Sequence, residues 1–177
     1  MHGRYAPLND TMNYQEYISL LKIQTSSLPF QRQLEFAVMI CKKLYFDYKN
    51  FVEVEQWGDA DLLMDAINIC DRVIAQLPDI SQIKELIPKI DLITPHMDDF
   101  GNDLGSYALN ASAAVYETLE FIVDRDNAHI FNIGNYYTDT IDFKIQEERD
   151  LTELEIENHP LMIEAWNFII NQTKNGT

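Results

Sequence analysis

The sequence has few of the residues that β structure and covalent frameworks require. Six of its 177 residues are glycine, six are proline and two are cysteine. So few glycines and prolines do not supply the many turns of an all-β chain. Two cysteines cannot form the disulfide framework of a small secreted domain. Because Cys41 and Cys70 each fall on an apolar helical stripe, we expect both to be free cysteines in the core.

Export and membrane signals are also missing. The first ten residues, MHGRYAPLND, lack the basic and then apolar order of a signal peptide. No apolar run approaches the roughly eighteen residues that a membrane-spanning helix needs. We therefore expect a cytoplasmic protein that has no membrane partner.

Basic residues are scarce. The chain carries 13 lysines and arginines against 29 acids, for a net charge of −16. Residues 1–50 are slightly basic, residues 51–177 carry the acidic excess, and the densest acidic stretch runs from Glu147 to Glu164. Such a field repels nucleic acid and attracts cations or basic proteins. It argues against a nucleic-acid partner and favours a basic protein partner. Solubility alone also explains the acidic excess.

The motifs of common active sites are absent. A di-metal carboxylate bundle needs repeated Glu-x-x-His, and the chain has only a single Asp126-x-x-His129. The acids near His96 and Asp98 lack EF-hand spacing and are explained by capping at a helix start. Neither a glycine-rich phosphate loop nor Gly-x-Ser-x-Gly occurs. The sequence therefore predicts no catalytic residue, no cofactor and no metal site.

Helical periodicity is what the sequence does have. From Asp98 to Asp124, apolar residues recur at helical spacing on most sides, which is typical of a helix covered by several neighbours. Similar periods before and after it predict an all-α fold, a single compact bundle of about seven to nine helices around a central helix near residues 102–124. We expect one domain over residues 1–177, with loose ends at 1–10 and 173–177.

Three runs carry a family resemblance: LEFAVMICKKLYFDYKNF with WGD at 34–59, DDF with YALNASAAVYETLE at 98–120, and TDTIDF with ELEIENHPLMIEAWNF at 138–168. In this order and spacing they resemble the YjaG-like family of small, all-helical bacterial proteins, which is catalogued as a domain of unknown function. The resemblance covers roughly residues 28–170. It implies a compact helical bundle and supplies no reaction, cofactor or catalytic residue.

Two polar stripes interrupt the apolar pattern, one on each of the predicted helices at 102–124 and 127–148. If they face each other, they form an acidic cleft for a cation or a basic ligand; if they face water, they are solvated surfaces. The candidate cleft residues are Asp103, Ser106, Asn110, Glu117, Glu120, Asn132, Asn135, Asp139 and Asp142.

These patterns favour a non-enzymatic protein-binding module that engages a basic partner, and an immunity-like protein that neutralises a basic toxin is one specific form. Tyr136, Tyr137 and Trp166 are candidate interface aromatics, although core packing also explains them. The alternative is a carboxylate-based, metal-assisted or acid/base enzyme that uses the two polar stripes. A homodimer is a third hypothesis, and its interface would use the near-neutral helices within 11–50.

Overall fold

A computed structural model describes residues 12–100, 102–147 and 150–174, and in these ranges the chain forms eight α-helices and no strand. The prediction of an all-α bundle of seven to nine helices is confirmed. The helices are α1 (Tyr14–Ser27), α2 (Phe30–Glu55), α3 (Ala60–Val73), α4 (Ile80–Leu92), α5 (Asp103–Asp124), α6 (Asn127–Gln146), α7 (Glu153–Glu157) and α8 (Pro160–Thr173).

Helix α5 lies at the centre, as its sequence predicts. It packs against α2, α3, α4 and α6, and Ala108, Val115 and Leu119 on its predicted apolar face are fully buried. The side chain of Asn102 accepts a hydrogen bond from the backbone of Gly105 and so caps the helix N-terminus. Four neighbouring helices surround α5 because it presents apolar side chains over most of its circumference.

Helices α1, α7 and α8 form the other side of the molecule. Helices α1 and α8 pack on each other and on α6, while the five-residue α7 contacts α8. The ring of Tyr17 stacks on the indole of Trp166 at 5.4 Å between centroids, which joins α1 to α8. Buried residues of the seven longer helices belong to one hydrophobic cluster, whereas α7 has no buried residue.

Two helices continue through positions where local sequence preferences favour a helix end. Pro88 does not end a helix but lies inside α4, where buried Ile83 and Ile90 hold the turns on either side of it. Helix α2 does not break near Phe46, because the Asp47 carboxylate binds the distant Lys144 rather than capping a new helix.

The ends of α2 and α8 are well defined. Gln56, and not Gly58, takes the left-handed conformation directly after α2, with φ 54°, although Gly58 also has a positive φ of 93°. At the C-terminus, Thr173 is not loose but ends α8 with a buried side chain. The expected loose segments 1–10 and 175–177 lie outside the described residues. Among the helices described, none is long and apolar enough to cross a membrane.

Candidate functional site

A groove of about 380 Å³ opens where α1, α6, α7 and α8 meet, and we call it the acidic groove. Four carboxylates line it, together with two aromatic rings. Its lining residues are Tyr14, Gln15, Thr138, Asp139, Asp142, Glu153, Ile156, Glu157, Met162 and Trp166. Of these described residues none is basic, so nothing in the lining neutralises the four acids.

Helix α7 forms one wall of the groove and owes its position to local capping. Thr152 accepts a hydrogen bond from the backbone of Glu155, and the Glu155 carboxylate accepts one from the backbone of Thr152. This capping box stabilises a helix too short to persist alone. Glu153 and Glu157 are four residues apart and therefore lie on one face of α7.

A hydrogen bond joins the same wall to the first residue of α1. The Glu157 carboxylate accepts a hydrogen bond from the backbone N–H of Tyr14 at 3.2 Å. Since this bond links residues 143 positions apart, the groove exists only in the folded bundle.

The floor of the groove is aromatic. Trp166 is 3% exposed, and its indole stacks on Tyr17 and lies 6.4 Å from the ring of Tyr14. Tyr14 itself is 48% exposed at the rim. Aromatic faces attract ammonium and guanidinium groups, so carboxylates above an aromatic floor suit a cationic side chain.

Asp139 is the most perturbed acid of the groove. The surrounding walls displace water from its carboxyl group and the Asp142 carboxylate repels its charge, and together they raise its pKa from 3.8 to about 6. The side chain still reaches solvent through the groove mouth. A carboxylate kept ionised near neutral pH at such a site is poised to accept a cation that offsets its unfavourable charge.

The predicted polar stripes do not meet as one cleft. Asp139 and Asp142 lie in the acidic groove, whereas Asn132 contacts Glu117 on α5. Asn110 is buried between the two helices and donates a hydrogen bond to Thr140 Oγ1 at 3.0 Å.

The other stripe residues are scattered. Ser106 is buried and donates to the Met97 sulfur, and Glu120 lies beside Tyr116. Asp103 is exposed in the first turn of α5, and the Asn135 carbonyl accepts a hydrogen bond from Thr138.

A second polar cluster forms around Glu117. One oxygen of this carboxylate accepts hydrogen bonds from Asn132 Nδ2 at 3.1 Å and from Tyr136 Oη at 3.4 Å, and the other binds His129 Nδ1. His129 Nε2 lies 3.1 Å from the Asp124 carboxylate. We call these five residues the Glu117 cluster; its polar atoms bind one another and clamp α5 to α6.

The Glu117 cluster perturbs its own titratable groups. Burial by itself lowers the pKa of His129, but hydrogen bonds and charges from Glu117 and Asp124 outweigh it and raise that pKa above its usual value. Burial, with the charge of Glu117, raises the pKa of Tyr136 to about 12. A protonated His129 therefore bridges two carboxylates.

The three candidate interface aromatics lie in different places. Tyr136 is part of the Glu117 cluster, Tyr137 packs its ring on Phe168 at 5.5 Å, and Trp166 is the groove floor. Sequence reasoning missed His129 as a neighbour of Glu117. Because α5 and α6 are joined by a tight turn and so lie antiparallel, the last turns of α5 lie beside the first turns of α6, which is the signal that could have brought these two residues together.

No group of three or more histidines, cysteines, aspartates and glutamates in the described ranges is arranged to hold a metal ion. Both cysteines are free and buried, which raises the pKa of the Cys41 thiol to about 12. A protonated, buried thiol is a poor nucleophile and a poor metal ligand.

Comparison with known proteins shows a matching sequence family and a solved structure of similar fold. The family described as "Protein of unknown function (DUF416)" matches residues 21–174. A crystal structure of a DUF416 family protein from Shewanella baltica OS155 is similar in fold, with a TM-score of 0.74 and 22% sequence identity. The similarity covers 88% of this chain and 83% of that one. No curated protein matches the chain.

Proposed function

The chain belongs to the DUF416 family of proteins of unknown function, and from this premise we propose that it is a non-enzymatic protein-binding module whose acidic groove receives a basic partner. The observation that carries the proposal is the lining of that groove. It combines four carboxylates with an aromatic floor and includes no basic residue among those described.

Electrostatics supports this function on two scales. The chain as a whole carries −16, which steers basic proteins toward it and repels acidic ones. Within the groove, an arginine or lysine side chain would pair with the carboxylates and pack against the exposed ring of Tyr14. Long-range charge thus raises the rate of encounter, and the groove supplies the local recognition.

The proposal takes the partner to be a basic protein in the cytoplasm, and an immunity-like role against a basic toxin is its most specific form. If cell fractionation found the protein only in the envelope fractions, that result would contradict the cytoplasmic location. Within the family we also propose the narrower YjaG-like placement, on the three runs at 34–59, 98–120 and 138–168. If an alignment of YjaG-like sequences lacked those three runs, it would contradict this narrower placement.

Affinity capture from native lysate tests the binding function. Three baits should be compared: the native chain, the groove variant Asp139→Asn/Asp142→Asn, and the control Asp61→Asn/Asp65→Asn. The control pair is exposed on α3 and changes the net charge equally. We expect a stoichiometric partner on the native and control baits that the groove variant loses. No stoichiometric partner on any bait would overturn the function.

An acid/base enzyme is the second candidate, and the Glu117 cluster is the observation that favours it. His129 between two carboxylates resembles the arrangement of a general base held by an acid. We rank it second because the cluster's polar atoms already bind one another. Native protein and His129→Gln should be screened with hydrolase and lyase substrates. The acid/base hypothesis requires an activity in the native protein that the His129→Gln variant lacks.

A further inference from the structure

Phe46 stands exposed on the opposite face of α2 from the core, with 71% of its surface accessible. It forms a ridge between two shallow grooves, one of about 490 Å³ between α2 and α3 and one of about 370 Å³ between α2 and α6. The first is lined by Glu35, Val38, Met39, Lys42, Lys43, Phe46, Asp71 and Ile74, and the second by Lys43, Leu44, Phe46, Asp47, Tyr137, Thr140, Ile141 and Lys144. We call this surface the Phe46 face.

The Phe46 face has an apolar part in the groove between α2 and α3. Val38 is buried, Met39 and Ile74 are half-buried, and all three border the groove beside the exposed phenyl ring. Burying a phenylalanine removes on the order of 150–250 Å² of surface from water. The same surface therefore has a projection, the exposed phenyl ring, and a recess, the apolar groove beside it.

Charge on the Phe46 face is balanced, unlike that of the whole chain. Its three lysines are matched by three carboxylates, Glu35, Asp47 and Asp71. Lys42 pairs with Asp71 at 2.9 Å and Lys144 with Asp47 at 2.7 Å. Two chains of −16 repel each other over most of their surfaces, so a neutral, apolar face is where they can approach with the smallest electrostatic cost.

We propose that a second copy of this chain docks on the Phe46 face, in a two-fold symmetric dimer. A two-fold interface brings the same patch of each subunit together, so the surface must be complementary to itself. The Phe46 face meets this requirement, because the phenyl ring of each copy enters the groove between α2 and α3 of the other. The lysine–carboxylate pairs of each copy then meet those of the other without net charge repulsion, and the acidic groove stays open.

Sedimentation velocity over a range of concentrations at about 0.15 M salt tests the proposal. The native chain should sediment as a dimer whose population rises with concentration, and Phe46→Glu should be a monomer under the same conditions. The matched control is Leu92→Glu, which places the same charge at a leucine 77% exposed on α4, away from both grooves. This control should remain dimeric.

Several results would overturn the proposal. A native chain that is monomeric at every concentration shows that another protein, or nothing, covers the face. A Phe46→Glu dimer places the interface elsewhere, and a monomeric Leu92→Glu attributes the loss to added charge alone. Circular dichroism should first show that both variants keep native helix content.

Cross-linking gives a second readout that does not depend on dissociation. Met39→Cys places an accessible thiol in the groove beside Phe46, while the native Cys41 and Cys70 are buried and unreactive. A short bis-maleimide should join two Met39→Cys chains, and adding Phe46→Glu should abolish the product. Equal cross-linking with and without Phe46→Glu would contradict the interface. The acidic-groove variant should stay dimeric, so this inference and the proposed function fail separately.

Discussion

At the scale of single residues, the acidic groove keeps a charge that the fold would be more stable without. The Asp139 carboxyl has a pKa of about 6 in the folded chain against 3.8 when unperturbed. Between these values the folded state holds a proton that the unfolded chain has released, so its contribution to stability falls as pH rises through this window. Binding sites commonly retain such costs because the ligand offsets them.

Asp139→Asn should therefore stabilise the protein at about pH 7.5 and have a smaller effect near pH 4. We expect a gain of at most about 1 kcal/mol, because the groove is open to water. Urea unfolding at the two pH values measures it, with the exposed Asp65→Asn on α3 as a control. A destabilised Asp139→Asn at pH 7.5 would show that the carboxylate is not under electrostatic strain.

The Glu117 cluster makes the opposite pH prediction. In the folded chain the pKa of His129 is raised, so its bridge between Glu117 and Asp124 is complete below about pH 6.5 and is lost as pH rises through the folded pKa. A neutral imidazole has one N–H and can donate to only one of the two carboxylates.

His129→Gln should thus cost more stability at about pH 5.5 than at about pH 8.5. Hydrogen bonds to charged groups contribute about 1.5–3 kcal/mol, and we expect a loss near the low end at the acidic pH. Chemical unfolding of native protein, His129→Gln and the exposed control His96→Gln gives the comparison. A pH-independent cost would mean that His129 only fills space.

At the scale of helices, α7 links local sequence to the groove. It has no buried residue and depends on the capping box of Thr152 and Glu155. Its two groove acids therefore hold their positions through a few hydrogen bonds and not through core packing. Destabilising α7 should weaken ligand binding in the acidic groove without unfolding the bundle.

Thr152→Ala removes that cap at a local cost of about 1 kcal/mol, which corresponds to roughly fivefold weaker binding of a basic ligand. Isothermal titration with a hexa-arginine peptide should show this loss while the global melting temperature hardly changes. Asp59→Ala provides the control, because it removes the cap of α3 far from the groove. It should lower the melting temperature and leave affinity unchanged, and the reverse pattern would contradict the role of α7.

The helices themselves were largely predictable from the sequence, because their signals are local. The period of α5, the capping box at Thr152 and Pro160 at the start of α8 all depend on residues within a few positions. Pro88 inside α4 is an exception, because packing of α4 against α5 outweighs the local preference of proline, which no local pattern records.

The site was much less predictable. The acidic character of residues 147–164 and the polar residues of α6 were visible, but their meeting with Tyr14 depends on contacts across most of the chain. Asn110 fits a polar stripe and is nevertheless buried, because Thr140 satisfies its amide across the α5–α6 interface. Helical spacing predicts the side of a helix on which a residue lies, but it does not predict which part of the chain covers that side.

At the scale of the whole molecule, we propose that the chain folds as a single domain. The hydrophobic cluster contains residues from α1 to α6 and from α8. One shared core of this kind should unfold cooperatively.

The two tryptophans test this cooperativity from separate places. Trp57 follows α2 and contacts Phe51 and Phe100, whereas Trp166 lies in α8. Urea transitions followed by fluorescence of Trp57→Phe and Trp166→Phe should coincide with each variant's own transition followed by far-ultraviolet circular dichroism. Separate transitions would show two independently folding parts.

The same molecule presents two different surfaces, the acidic groove and the balanced Phe46 face. They share only α6, since α1, α7 and α8 line only the first and α2 and α3 only the second. A dimer built on the Phe46 face would therefore display two acidic grooves. Such a dimer would bind a multivalent basic partner more tightly than one groove does.

Calorimetric titration of a hexa-arginine peptide into native protein at about 0.15 M salt tests the central claim most directly. The groove variant Asp139→Asn/Asp142→Asn and the charge-matched Asp61→Asn/Asp65→Asn should be titrated beside it. If the groove recognises cationic side chains, the native and charge-matched proteins bind alike and the groove variant binds at least about tenfold more weakly, a difference of about 1.4 kcal/mol. Equal weakening of both variants would mean that only overall charge attracts the peptide, and would contradict the claim.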